Sequence, residues 1–213
     1  MALGTTVRDR LRLETAEIHE RLHRHPGLAA AASGSITSDD YALLLARLFG
    51  FHRAYESVVA ETAFNDAFDL GFPPVARSES LALDLVALGV DRAVIANLRL
   101  CAIARPSSVA ELLGSRYVVE GSTLGGQLIA RALEPRFGDN RRFFLSKPGN
   151  AWRALTDSLE ALGGNPSAVQ AAAGAARASF LDFEKWMEGW RSGDSFATAG
   201  AGRWELAPSA GRG

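Results

Sequence analysis

Apolar residues recur at intervals of three and four along almost the whole of this 213-residue chain, and nowhere do they alternate over a length useful for a strand. That rhythm confines the chain to a helical fold. Val7, Leu11, Thr15, Ile18 and Leu22 make the stripe of a first amphipathic helix, opened by Thr5 or Thr6 and closed by His25-Pro26-Gly27. A second starts at the capping cluster Thr37-Ser38-Asp39-Asp40 and runs through Tyr41, Leu44, Leu48, Phe51 and Tyr55 to about Thr62. Residues 64–78, with Gly71, Pro73 and Pro74, form a connection. Ser78 caps a helix over about 79–88, and Asp91 starts a short one ending near Ala96. After a turn at 105–110 a helix reaches about Leu133, closed by Pro135 and Gly138. Another covers 150–162, and Asn165-Pro166 opens the last, which reaches about Trp190. No repeat or internal linker divides the chain. The expectation is one all-α domain over residues 1–191, followed by a flexible tail at 192–213 that is rich in Gly, Ser and Ala.

Several function classes drop out early. Cys101 is the only cysteine, which rules out an intrachain disulfide and any multi-cysteine zinc or iron–sulfur site. The formal net charge is -1, so no concentrated basic character points to nucleic acid. No apolar run reaches the roughly 18 residues that cross a bilayer. Arg8, Arg10 and Arg12 lead into no uninterrupted apolar segment of the secretory kind. The expected location is cytoplasmic, with no membrane partner.

Two segments carry chemistry. Arg116-Tyr117-Val118-Val119-Glu120-Gly121-Ser122-Thr123-Leu124-Gly125-Gly126-Gln127 lies inside an otherwise good helix, where each glycine costs about 0.8–1 kcal/mol against alanine. Such glycines serve a bend, a close helix crossing, or a flat object laid against bare backbone. His19 stands beside Thr15, Ile18 and Leu22. It reads either as a core-edge histidine or as an imidazole able to ligate iron through Nε2. His23, His25 and His52 read as ordinary structural histidines.

Taken together, the two segments resemble the haem oxygenase family. Leu11-Arg12-Leu13-Glu14-Thr15-Ala16-Glu17-Ile18-His19-Glu20-Arg21-Leu22 is similar to that family's proximal helix, L-R-x-x-T-x-x-x-H-x-x-L. Tyr117 to Gln127 resembles its distal helix, and the wording Glu-Gly-Ser-Thr-Leu-Gly-Gly is similar to the bacterial branch associated with bacteriophytochromes. The resemblance implies a single-domain helical bundle with haem b, both substrate and cofactor, between a proximal and a kinked distal helix. It implies His19 as the iron ligand and Gly121, Gly125 and Gly126 as the distal wall, with Ser122 and Thr123 beside them. Arg12, Arg116 or Tyr117, and Arg153 would hold the propionates, and Phe180 and Phe183 would lie along the macrocycle edge. The implied reaction is O₂- and electron-dependent opening of haem to biliverdin, carbon monoxide and ferrous iron. Electrons would come from an external ferredoxin or flavin reductase, and a bacteriophytochrome would receive the biliverdin.

Two residues depart from the family pattern. Many members carry an aspartate where Ser122 stands, to order proton-delivering water. A glutamate often stands where His23 does, to accept the ring N–H of the proximal histidine. Both departures keep open a non-catalytic haem carrier or sensor on the same fold. Glu20-Arg21-Leu22-His23 also has the Glu-x-x-His spacing of a di-iron carboxylate protein, without a second copy.

Overall fold

The computed structural model describes residues 6–63, 70–72, 75–147 and 149–191. The connection expected at 64–78 falls partly outside these residues, and the tail expected at 192–213 falls wholly outside them. The described residues hold helices and no strand. These are α1 (Val7–His23), α2 (Pro26–Ala32), α3 (Ser38–Ala63), α4 (Ser78–Ala87), α5 (Arg92–Ala96), α6 (Val109–Phe137), α7 (Arg142–Leu145), α8 (Asn150–Glu160) and α9 (Pro166–Met187).

Local chemistry sets the ends. Thr6 opens α1 with a capping box, its hydroxyl accepting from Asp9 N–H at 3.1 Å and its own N–H donating to the Asp9 carboxylate at 3.3 Å. Glu160, at the end of α8, accepts from the N–H groups of Val7 and Arg8 at 2.9 and 3.2 Å, which ties the two helices together. Pro26 starts a helix instead of ending one: it is the first residue of α2, and His25 Nδ1 accepts the Leu28 N–H. α6 is helical throughout its 29 residues, glycines included. It also passes the expected stop at Pro135, because a proline in the last turn costs only one hydrogen bond there. Gly138, at φ 51°, then turns the chain. The short helix α7 was not expected from periodicity. Buried Asp84 of α4 builds it, accepting from Arg142 and Phe143 N–H at 3.1 and 3.0 Å and from the Arg142 side chain at 3.0 Å.

Two apolar cores share α6 as their spine. One joins α2 to α7 with Trp186, Met187 and Trp190. The other gathers Val7 and Leu11 of α1, Leu113 and Val118 of α6, Leu155 and Leu159 of α8, and Ala172, Ala173 and Ala176 of α9. α9 packs along both α6 and α1, whereas α1 and α6 make almost no contact with each other. The result is a cleft: α1 and α6 are its walls, α9 runs behind, and α8 closes the end near Val7.

The α6–α9 crossing is backbone on backbone. A Cβ placed on Gly114 would stand 2.0 Å from the Ala172 carbonyl oxygen. Gly114→Ala is therefore expected to cost about 3 kcal/mol or more, as overpacking against a helix backbone that cannot yield does. A drop in the thermal unfolding midpoint of the ligand-free protein measures it.

Candidate haem cleft

His19 stands on the α1 wall with its side chain 54% exposed, one face against the ring of Phe180 at 6.0 Å. It sits at the rim, while its stripe neighbours Thr15, Ile18 and Leu22 are buried. Burial, and then the neighbouring His23, hold its pKa below the ordinary 6.5, so the ring is neutral at pH 7 with a lone pair to give. His23 Nε2 lies 3.3 Å from His19 Nε2. His23 therefore does not meet the Nδ1 side that a glutamate at its position serves in the family pattern. On the Nδ1 side the Glu20 carboxylate lies 3.9 Å away. Of the three N-terminal arginines, Arg8 pairs with Glu160 and Arg10 with Glu14, while Arg12 has no carboxylate within ion-pair distance among the described residues. Its charge acts on both His19 of the same helix and Tyr117 of α6.

The three glycines of α6 meet three different surroundings. A Cβ on Gly121 would stand 3.2 Å from the indole of Trp152, which stacks on Tyr117 at 5.7 Å. Gly126 is buried against the Phe144 carbonyl of α7, where Gln127 also donates to Phe144 and Ser146 carbonyls at 3.2 and 2.9 Å. Only Gly125 faces open space, with nothing within 4 Å of an added Cβ. Leu124 and Leu128 beside it are exposed. The Ser122 and Thr123 hydroxyls each donate to the carbonyl one turn back, Val119 and Glu120, at 2.7 Å.

The remaining expected site residues separate. Arg153 is exposed on the first turn of α8. Phe180 packs with the second core and Phe183 with the first, where it meets Phe51 at 4.9 Å. Arg116 is buried, lies 2.7 Å from Glu120, donates to the Phe72 carbonyl at 3.0 Å and covers the Phe72 ring. Its donors point into the protein and not into the cleft. Sequence reasoning passed over Arg77, buried behind α6, because an isolated arginine carries no motif; His52, read as an ordinary structural histidine, is buried as well. Among the described residues no three His, Cys, Asp or Glu side chains gather as a metal site, and no helix is long and apolar enough to cross a membrane. An open groove of about 350 Å³ runs along nearly the opposite face of α9, past Tyr55, Ser115 and Asp182, and is separate from the cleft.

A neutral imidazole on α1 and a stretch of α6 with an open glycine are the residues that could hold a flat, metal-centred ligand. The family described as heme oxygenase matches residues 5–189, and the chain belongs to it. It is thus an enzyme that degrades haem. The fold is similar to that of the haem oxygenase from Leptospira interrogans, with TM-score 0.67 and 18% identity over 85% of this chain and 98% of that one. It is also similar to the Neisseria meningitidis enzyme in its NO- and CO-bound forms, with TM-score 0.64 and 22% identity over 97% and 98% of the two chains. Haem oxygenase-1 from the cyanobacterium Synechocystis, in complex with haem, gives TM-score 0.64 and 14% identity over 90% and 95%. No curated protein matches significantly.

His52 allows a test in the ligand-free protein. Its ring is fully buried between Phe51 and Phe143, and burial pushes its pKa well below the ordinary 6.5. The unfolded chain therefore takes up the proton first as pH falls. The stability this neutral ring contributes is present above pH 6.5 and lost below it, by up to about 1.4 kcal/mol per pH unit. Denaturant titrations between pH 7.5 and 5 are expected to show that slope, and His52→Gln to remove one proton's share of it.

Proposed function

We propose that this protein opens haem b to biliverdin, carbon monoxide and ferrous iron. The observation that carries the reading is the open space at Gly125, unfilled by any side chain, in a cleft whose other wall presents a neutral His19. The donor set suits haem: one imidazole for iron, apolar Leu124 and Leu128 for the macrocycle, and an unpaired Arg12 for a propionate. When bound, haem supplies the redox chemistry that activates O₂.

The chain's own residues do the rest. His19 holds the proximal side, and its neutrality at pH 7 keeps the ring available as a ligand. Arg12, and Arg153 from the α8 end, fix the rotation of the ring through its carboxylates and so select the edge that is attacked. Bare backbone at Gly125 would let a flat ligand lie far closer to α6 than any side chain would allow. Ser122 has already given its proton to a backbone carbonyl, so toward the cleft it is an acceptor that anchors water, and the protons themselves arrive through that water; Thr123, which donates to Glu120, is buried within α6. Electrons come from an external ferredoxin or flavin reductase. The Glu-Gly-Ser-Thr-Leu-Gly-Gly wording supports supply of biliverdin to a bacteriophytochrome, and the composition supports a cytoplasmic site of action.

Titrating the protein with hemin is expected to give a sharp Soret band that His19→Ala loses. Added ascorbate or reductase then converts it to biliverdin and carbon monoxide. An intact haem under those conditions would make the protein a carrier or sensor; no spectral change with hemin would remove the reading altogether.

Gly125→Ala separates stability from function. With nothing in the way of the new methyl group, the ligand-free protein is expected to gain up to about 1 kcal/mol from helix propensity alone. The same methyl group enters the space assigned to haem, so hemin affinity is expected to fall. Equal hemin affinity in the variant would mean that α6 does not touch the ligand at Gly125.

A further inference from the structure

Behind α6 sits a buried cation that, among the described residues, no carboxylate pairs with. Arg77 is 2% exposed and immediately precedes α4. Its backbone is pinned by Glu56 of α3, which accepts from the N–H groups of Arg77 and Ser78 at 2.6 and 2.8 Å and from the Ser78 hydroxyl. The guanidinium covers the Phe143 ring at 4.0 Å, and Nη1 donates to Ser122 Oγ at 2.8 Å and to the Val119 carbonyl at 3.3 Å. Nε is buried with no partner, and among the described residues no acid lies within ion-pair distance. Burial draws the Arg77 pKa down to about 10, against the pull of Glu56 and Glu120. Neither acid is free to approach, since Glu120 is taken by Arg116 and Glu56 by the start of α4. His52, the other titratable group in this neighbourhood, is neutral.

An unpaired buried charge is destabilising, and a fold that keeps one holds it in a particular place. Here the place is one hydroxyl away from the cleft. Ser122 gives its proton to Val119, accepts from Arg77 with one lone pair, keeps another, and is itself exposed beside Gly121 and Gly125. An aspartate at this position would cancel the charge; the serine leaves it standing.

Resting on the haem reading above, we propose that Arg77 is a positioning residue that fixes Ser122 and imposes a positive potential on the distal side of the cleft. Anionic ligands on that side are thereby favoured over neutral ones.

The test uses hemin-loaded protein, with azide as the anion on ferric haem and carbon monoxide as the neutral ligand on ferrous haem. Arg77→Met is expected to weaken azide about tenfold, the scale of one charge acting across several ångströms at intermediate dielectric, while carbon monoxide affinity stays within about twofold. The carbon monoxide stretching frequency should rise as the positive field is lost. Arg77→Lys, which keeps the charge, should retain most of the azide affinity. Ser122→Asp serves as a second variant should Arg77→Met fail to fold. Its carboxylate would pair with Arg77, so azide binding should weaken comparably and the ligand-free protein should melt at a higher temperature.

If Ser122→Asp left azide binding unchanged and lowered the melting temperature, Arg77 would merely fasten α4 to α6 and the proposal would be wrong. Unchanged azide affinity and stretching frequency in a folded Arg77→Met would overturn it equally. Absence of a Soret band in the unmodified protein would be a different failure, that of the haem reading itself, and would take this proposal with it.

Discussion

The site depends first on how closely α6 and α9 approach. At Gly114 the two backbones meet with no side chain between them, and α9 answers with a run of small residues, Ala172, Ala173 and Ala176, all buried. Small residues on both sides let helix axes come near each other, and the approach fixes where the far half of α6 must lie. α1 then packs on the same α9 without reaching α6. α8 packs on both near Val7, and beyond it His19 of α1 and Leu124 and Leu128 of α6 are left exposed. The cleft is therefore a consequence of where the small residues fall on α9, and it does not require any side chain to hold it open.

The second constraint is electrostatic. Around the middle of α6 the protein buries Arg116 with Glu120 and places Arg77 under Ser122. The first is a paired charge with hydrogen bonds to spare for the Phe72 carbonyl, and it behaves as a brace for the helix. The second has an aromatic ring, a hydroxyl and a backbone carbonyl as its partners among the described residues. One turn of helix thus separates a neutral interior from an electropositive one, and the electropositive side is the one nearer Gly121 and Gly125. A serine on that turn transmits the charge into the cleft where a carboxylate would have absorbed it.

Much of the fold was legible in the sequence. The three-and-four spacing located α1, α3, α6, α8 and α9 within a few residues, because those helices each bury one continuous stripe. What escaped were elements made by tertiary partners. α2 begins at a proline that reads locally as a stop, and α7 exists because Asp84, far away in the chain, caps it. Periodicity cannot register a single turn held by a distant carboxylate. The site divides in the same way. His19 and Gly125 were visible as residue types whose local setting was unusual, and the family match over residues 5–189 supports the frame they were placed in. The family resemblance implied Arg116 or Tyr117 as a propionate donor, but a one-dimensional reading cannot say which face of the helix either occupies. Arg77 lies some forty residues upstream of its partner and was invisible for that reason.

The glycines show why a motif must be read atom by atom. Gly121 makes room for Trp152, and Gly126 for the Phe144 backbone; both are explained by packing within the protein. Gly125 is explained by nothing inside it. A helix that forgoes alanine at such a position gives up stability with no structural return, since the methyl group would have met only solvent. Leu124 and Leu128, exposed on either side, repeat the pattern with apolar surface that nothing in the chain covers. Bare backbone flanked by uncovered leucines is what a helix looks like when part of its packing surface is reserved for something that is not protein. Two of the three glycines are accounted for by packing within the protein, and it is the third, the least constrained by its neighbours, on which the proposed ligand site rests.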